Sequence, residues 1–190
     1  MALTFSNPFP LGAQAPNFEL PDVVSGKTYT LADFKSEKGL VVFFICSHCP
    51  YVKHYNTALS TFATAVQDLG LRVVAISSND AEAFPDDAPE KLKEQALQFK
   101  FPFPYLYDES QLVAKAYKAS CTPDFYLFDA DFACTYHGQF DASRPKNDLT
   151  ITGSDLFEAV QVLLQGLPPL ENQVPSSGCN IKWKAGVSPF

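Results

Sequence analysis

The chain has 190 residues, 46% of them apolar, and a formal net charge of −7. This length suits one domain with a full core, and the acidic balance argues against nucleic acid as a partner. No stretch approaches the length of a membrane span, and the N-terminus lacks the basic and apolar regions of a signal peptide. Five cysteines, an odd number, do not make a disulfide scaffold. We therefore expect a cytoplasmic protein, in which a cysteine pair is more often catalytic or metal-binding than structural.

The predicted elements alternate between strands and helices along the chain. This order predicts an α/β fold whose largely parallel central sheet is covered on both faces and closed by antiparallel strands. In chain order we predict an extension at 1–17, a β-hairpin from 18–22 and 27–31, a strand at 40–45, a helix at 52–69, a strand at 71–77, a loop at 78–89, a helix at 92–99, a strand at 105–107, a short helix ending near 118, a hairpin from 125–128 and 134–138, a helix at 156–163 and an irregular tail at 165–190.

The segment Cys46-Ser47-His48-Cys49 joins the apolar strand to the first amphipathic helix. A C-x-x-C beside a βα pattern is typical of a redox site. Cys46 is placed at the helix N-terminus, where the helix dipole and free N–H groups stabilise a thiolate. Cys49 is expected one turn into the helix and deeper. Cys46 would then attack a substrate disulfide, and Cys49 would resolve the mixed disulfide.

Two further features bear on this site. His48 can give a hydrogen bond or a positive charge to the Cys46 thiolate, which predicts a more oxidising pair than one separated by Gly-Pro. Thr122-Pro123 precedes a strand, and a cis Pro123 would hold the backbone beside the thiols, ready to pair with an extended substrate peptide. The acidic residues Asp86, Asp87 and Glu90 are interpreted as a solvated loop.

The arrangement of strand, C-x-x-C, long helix, Thr-Pro, hairpin and final helix resembles the thioredoxin superfamily. The opening is similar to the peroxiredoxin and redoxin branch, and three further segments resemble a bacterial thioredoxin-like, AhpC/TSA-related group. The resemblance implies one thioredoxin-like domain over 1–190, with a central mixed sheet flanked by helices, an N-terminal hairpin and an inserted βα unit. It also implies thiol–disulfide exchange with Cys46 as nucleophile, Cys49 as resolving thiol and Pro123 as cis-proline. The segments are 12–22, 44–54, 121–125 and 178–184.

Some positions depart from these families. Typical thioredoxins carry Trp before the first cysteine and a buried acid six residues before it, where this chain has Ile45 and Leu40. Another group, or water, must therefore accept the proton of Cys49. Peroxiredoxins carry Pro and Thr or Ser where this chain has Gly39 and Phe43. A thiol-dependent, antioxidant peroxidase is for this reason the second hypothesis.

Other interpretations remain open for the cysteines and histidines. A zinc site from Cys46, Cys49, His48 and His54 would need ligands from elsewhere to close it. A non-catalytic binding module on the same fold is a further alternative. For the remaining thiols, the hypotheses are that Cys121 is a third redox thiol or simple packing, that Cys134 is packing, and that Cys179 resolves only if the tail folds back to the site.

The expected partners follow from the proposed chemistry. We expect a protein or small-molecule disulfide as substrate, a reductase or thiol donor as electron source, and a role in cell redox homeostasis. We expect no bound cofactor or metal, no nucleic acid and no membrane partner, and a monomer or weak homodimer.

Overall fold

A computed structural model describes residues 3–187 of the chain. The elements agree with the predicted alternation of strands and helices. The strands are β1 (Leu3–Phe5), β2 (Glu19–Pro21), β3 (Thr28–Thr30), β4 (Leu40–Phe44), β5 (Arg72–Ser77), β6 (Tyr105–Tyr107), β7 (Cys121–Thr122), β8 (Asp124–Phe128), β9 (Cys134–Gly138) and β10 (Ser177–Asn180). The α-helices are α1 (Pro50–Asp68), α2 (Pro89–Gln98), α3 (Leu112–Ala116) and α4 (Ser154–Leu164), and short 3-10 turns cover Leu31–Phe34 and Pro85–Asp87.

The central sheet has five strands in the order β6-β5-β4-β8-β9. β4, β5 and β6 run parallel, whereas β8 pairs antiparallel with both β4 and β9. The sheet is therefore mixed, and the hairpin predicted at 18–31 forms separately as β2 and β3. Within residues 3–187, no helix combines the length and apolarity needed to cross a membrane.

The middle strand β4 is buried on both faces because its side chains alternate between two apolar cores. Val41, Phe43 and Ile45 pack into one core with residues from α1, α2 and α4. Leu40 and the other alternate residues of β4 pack into a second core with α3 and the N-terminal segment. This two-sided burial fixes the end of β4, and with it the start of the cysteine motif.

Within residues 3–187, the segments near both chain ends contain strands that the sequence does not predict. The extension predicted at 1–17 contains β1, and the irregular tail predicted at 165–190 contains β10. β10 lies between β1 and β7 in a three-stranded antiparallel sheet. The sequence of β10, Ser-Gly-Cys-Asn, has no β-branched or aromatic residue, so its pairing could not be predicted from pattern. Through this pairing the tail packs beside the cysteine motif that follows β4.

Candidate active site

The cysteine motif occupies the connection between β4 and α1. Ile45 continues the parallel pairing, since its N–H donates to Ile76 O at 3.1 Å. α1 begins at Pro50, a residue favoured in the first helical turn, and Cys49 is its N-cap. Cys49 is thus at the helix N-terminus rather than one turn inside it. It is also hardly deeper than Cys46, because the two residues are 0% and 1% exposed.

The structure brings a third sulfur to this pair. Cys49 Sγ lies 2.8 Å from Cys179 Sγ, which β10 carries. Thr122 contacts both motif cysteines: its Oγ1 lies 3.4 Å from Cys46 Sγ and its carbonyl oxygen 3.3 Å from Cys49 Sγ. We call Cys46, Cys49 and Cys179 the thiol cluster. All of its members are buried thiols.

Cys49 is the member of the thiol cluster that best stabilises a negative charge. Hydrogen bonds with the thiols of Cys179 and Cys46 lower the pKa of Cys49 to about 2. The same interaction with Cys49, together with burial, raises the pKa of Cys179. Burial raises the pKa of Cys46 well above its ordinary value. The carbonyl of Thr122 accepts from Cys49 and so opposes the lowering of its pKa, but the contacts with the two neighbouring thiols have the larger effect.

The Thr122–Pro123 peptide bond is cis, as expected from its place beside the thiols. The backbone of Thr122 pairs with Cys179, which brings β10 against the strand that precedes this proline. The approach is close enough to require glycine next to Cys179. A Cβ atom on Gly178 would lie 2.1 Å from Thr122 O.

Asp87 is the functional candidate that sequence reasoning missed. It was interpreted as part of a solvated loop, and that interpretation is wrong, because Asp87 is 0% exposed. Its Oδ1 accepts from Ser47 N–H at 2.8 Å, Ser47 Oγ at 3.0 Å and His48 N–H at 3.1 Å. Its Oδ2 accepts from Asn79 Nδ2 at 2.7 Å and from the His48 ring. The 3-10 turn Pro85–Asp87 turns this side chain inward, and no periodic pattern marks such a turn.

The contact with Asp87 sets the charge of His48. The hydrogen bond to the Asp87 carboxylate raises the pKa of His48, which favours the imidazolium. Burial would raise the pKa of Asp87, but hydrogen bonds from His48 and Asn79 outweigh burial, and the pKa is lowered. His48 also stacks on Phe84, with ring centroids 6.0 Å apart. Asp87 and Phe84 therefore hold the His48 ring in place, within 4.8 Å of Cys46 Sγ.

The remaining candidates lie apart from this centre or differ from expectation. Cys121 is buried, and its Sγ faces Pro123 O at 3.9 Å. Cys134 is buried in the second core, as expected for packing. His54 interacts with Ser143 Oγ at 2.8 Å, so it does not complete the zinc set considered from the sequence. Among residues 3–187, the metal-ligating side chains that do converge, within 4.8 Å of one another, are Cys46, His48 and Asp87. His48 and Asp87 already bond to each other, and a closed zinc site takes four ligands.

Leu40, which stands where thioredoxins carry a buried acid, packs in the second core on the other face of the sheet. The titratable groups in contact with Cys49 are instead two thiols, those of Cys179 and Cys46. An open groove of about 430 Å³ reaches the motif from outside and is lined by residues including Ser47, His48, Lys53 and Gln95. Ser47 and His48, which separate the motif cysteines, line this groove, whereas Cys46 and Cys49 do not.

The family model described as AhpC/TSA matches residues 11–137 of the chain. The chain belongs to the AhpC/TSA family. Among the curated proteins, none matches this chain. The AhpC/TSA match ends before β10, so it covers two members of the thiol cluster and leaves Cys179 outside it.

The chain is also similar to solved structures. An uncharacterized conserved protein from Geobacillus kaustophilus is 51% identical, covers 98% of this chain and 99% of its own, and has a TM-score of 0.96. A hypothetical protein from Sinorhizobium meliloti 1021 is 49% identical over 96% of this chain and 100% of its own, with a TM-score of 0.93. The thioredoxin domain of a thiol-disulfide oxidoreductase from Bacteroides vulgatus is 20% identical, covers 83% of this chain and 99% of its own, and has a TM-score of 0.63. At that identity the likeness shows the fold, which is thioredoxin-like.

Proposed function

We propose that this AhpC/TSA protein is a thiol–disulfide oxidoreductase in which Cys46 attacks the substrate disulfide and Cys49 resolves the mixed disulfide. The observation that carries the proposal is the pair of buried thiols at the junction of β4 and α1, both in contact with Thr122 beside the cis Pro123. This placement puts Cys49 at the N-terminus of α1 and puts the Thr122 hydroxyl beside Cys46. Both arrangements stabilise a thiolate.

The first step needs Cys46 as a thiolate, which the Thr122 hydroxyl stabilises. Cys46 loses its proton to water, and its Sγ then attacks one substrate sulfur. The substrate S–S bond breaks, a mixed disulfide forms at Cys46, and the departing thiolate takes up a proton from water. Cys49, whose lowered pKa favours the thiolate, then attacks Cys46 Sγ, and the second substrate thiolate that leaves is protonated by water. The products are a second substrate thiol and a Cys46–Cys49 disulfide, so two electrons pass to the substrate.

The substrate approaches through the groove lined by Ser47 and His48, because these residues adjoin Cys46 and Cys49 in the motif. Protein and small-molecule disulfides both have the required chemistry, and a thiol donor or reductase would return the two electrons. We place this reaction in the cytoplasm, with the protein acting as a monomer or weak homodimer.

The test is reduction of a model disulfide protein and of glutathione disulfide by the reduced protein. We expect Cys46→Ser to abolish reduction, and Cys49→Ser to accumulate a mixed disulfide at Cys46 that non-reducing electrophoresis and mass spectrometry detect. Cys134→Ser is the matched control, because Cys134 is an equally buried thiol that packs away from the motif. Full activity in Cys46→Ser would refute the proposal. Rapid, saturable consumption of hydrogen peroxide without disulfide reduction would assign the protein as a peroxidase instead.

A further inference from the structure

The strongest unassigned feature of the molecule is the third thiol beside the motif. Cys179 is separated from Cys49 by 130 positions in the sequence, yet their sulfurs are 2.8 Å apart. A disulfide needs about 2.05 Å between sulfurs, so an approach of under about 1 Å would join them. Cys49 therefore has a covalent partner within reach on either side: Cys46 in its own motif and Cys179 in β10.

The strand that carries Cys179 is held firmly in this position. Its backbone pairs with β1 on one edge and with Thr122 on the other. Arg144 donates to Ser177 Oγ at 3.0 Å at the start of β10. Just beyond the end of β10, Lys182 N–H donates to Asn79 Oδ1 at 2.8 Å. Asn79 also donates to Asp87, so the tail and the motif are positioned by the same polar network.

β10 also has the relationship to the site that an extended substrate would have. It runs antiparallel to β7, its backbone pairs with the residue before Pro123, and it presents a cysteine to the motif. Main-chain pairing of this kind is how a strand is added to a sheet edge in peptide recognition. The chain thus supplies its own internal strand, with its own thiol, at the edge where a substrate peptide would pair.

We propose that Cys179 is a third redox thiol and that Cys49 exchanges between two disulfides, Cys46–Cys49 and Cys49–Cys179. This inference rests on the proposed function, because that reaction forms the first disulfide. In the added step, Cys179 Sγ attacks Cys49 Sγ, the Cys46–Cys49 bond breaks and the Cys49–Cys179 bond forms. The proton of Cys179 ends on Cys46. No electron is gained or lost overall. Cys46 becomes a thiol again, and the disulfide is now between Cys49 and Cys179.

The experiment locates the disulfide after a two-electron oxidation. The reduced protein is treated with one equivalent of glutathione disulfide, quenched with acid, unfolded, alkylated and digested without reduction. We expect peptides linked through Cys49–Cys179 together with alkylated Cys46. In Cys179→Ser and Cys179→Ala we expect loss of that linkage and of Cys46 alkylation. Cys121→Ser, which alters another buried thiol of the same sheet, should leave the pattern unchanged.

A second variant separates this inference from the proposed function. Cys46→Ser cannot form the motif disulfide, but in a glutathione redox buffer it should still form Cys49–Cys179, seen as a loss of two hydrogen atoms in the intact mass. Cys46→Ser/Cys179→Ser should show no such loss. If the wild type reduces disulfides while only the Cys46–Cys49 linkage appears and Cys46→Ser stays fully reduced, Cys179 is not a redox thiol and the proposed function stands. If the wild type forms no motif disulfide and reduces no substrate, the proposed function itself fails.

Discussion

The buried carboxylate of Asp87 accepts hydrogen bonds from both the backbone N–H and the imidazole ring of His48. One side chain, 40 positions from Ser47 and 39 from His48, therefore sets the shape of the motif and the charge at its centre. Successive backbone N–H groups that point the same way are well suited to binding an anion. Here the N–H groups of Ser47 and His48 bind the carboxylate of Asp87 from the same chain. The variable residues of the C-x-x-C are thus tied to the loop after β5.

Replacing Asp87 should destabilise the protein strongly. Asp87→Asn keeps the size of the side chain but places an amide N–H₂ among groups that all donate. Breaking a buried charged pair of this kind typically costs about 3 kcal/mol of unfolding free energy. Urea denaturation measures the change. Asp86→Asn is the control, because Asp86 is exposed and its side chain should contribute within about 0.5 kcal/mol. Equal effects of the two substitutions would show that the carboxylate of Asp87 is not needed.

The ion pair of His48 and Asp87 predicts a specific pH dependence of stability. The pKa of His48 is raised, so its contribution is complete below the ordinary value of 6.5 and is lost as the pH rises through the raised pKa. The pKa of Asp87 is lowered, so its contribution is present above the ordinary value of 3.8 and is lost as the pH falls through the lowered pKa. The difference in unfolding free energy between wild type and His48→Gln should therefore be greatest between these two values. A difference that grows above pH 6.5 would have the wrong sign.

Thr122 should control the reactivity of Cys46 more than the stability of the fold. The Thr122 hydroxyl lies 3.4 Å from Cys46 Sγ and lowers the pKa of that thiol, against the larger effect of burial. Thr122→Val removes this donor while preserving shape. Because one hydrogen bond is worth about 1 kcal/mol, we expect roughly fivefold slower disulfide exchange at neutral pH and a rate profile displaced to higher pH. Thr122→Ser should restore both, and a shift in rate without a shift in the profile would argue against a thiolate donor.

The sequence predicts the framework of the site because that framework is local. Cys46 and Cys49 follow an apolar strand directly, and alternation along β4 places them at the end of a doubly covered strand. Thr122-Pro123 is recognised as a dipeptide beside a strand. The sheet, the long helix and the position of these residues are all fixed by short-range periodicity.

The remainder of the site depends on long-range contacts that no periodicity records. Asp87 is in an acidic, proline-containing loop whose composition indicates solvent, yet its carboxylate is buried under the motif. Cys179 belongs to a tail whose sequence indicates irregular structure, because glycine has a low strand propensity. Gly178 is required there because β10 approaches Thr122 O closely. In both cases a contact with the C-x-x-C motif determines the local structure. The composition of the local sequence instead predicts an exposed loop around Asp87 and an irregular tail around Cys179.

Gly178 should be required for the position of Cys179. A Cβ atom there would lie 2.1 Å from Thr122 O, so Gly178→Ala must push β10 away from β7. We expect a loss of about 1–3 kcal/mol in unfolding free energy, as for other overpacked sites, and a smaller yield of Cys49–Cys179 disulfide. Asn172→Ala provides the comparison within the same tail, because Asn172 is exposed and its replacement should change the unfolding free energy by no more than about 0.5 kcal/mol. An unchanged disulfide yield in Gly178→Ala would show that the sulfurs meet without this strand pairing.

The reduction potential of the Cys46–Cys49 disulfide should depend on the charge of His48. The hydrogen bond to Asp87 favours an imidazolium at His48, and its positive charge attracts the Cys49 thiolate, which stabilises the reduced form and makes the disulfide more oxidising. We expect a wild-type potential above about −270 mV, the value of a Gly-Pro thioredoxin pair. His48→Asn removes the positive charge and leaves Asp87, so the potential should fall by about 30 mV, which corresponds to about 1.4 kcal/mol. Equilibration with glutathione, followed by alkylation and mass analysis, measures both values. His54→Asn is the matched control, since His54 contacts Ser143 rather than the motif. A potential that is the same in wild type and His48→Asn would exclude His48 as the residue that sets the poise.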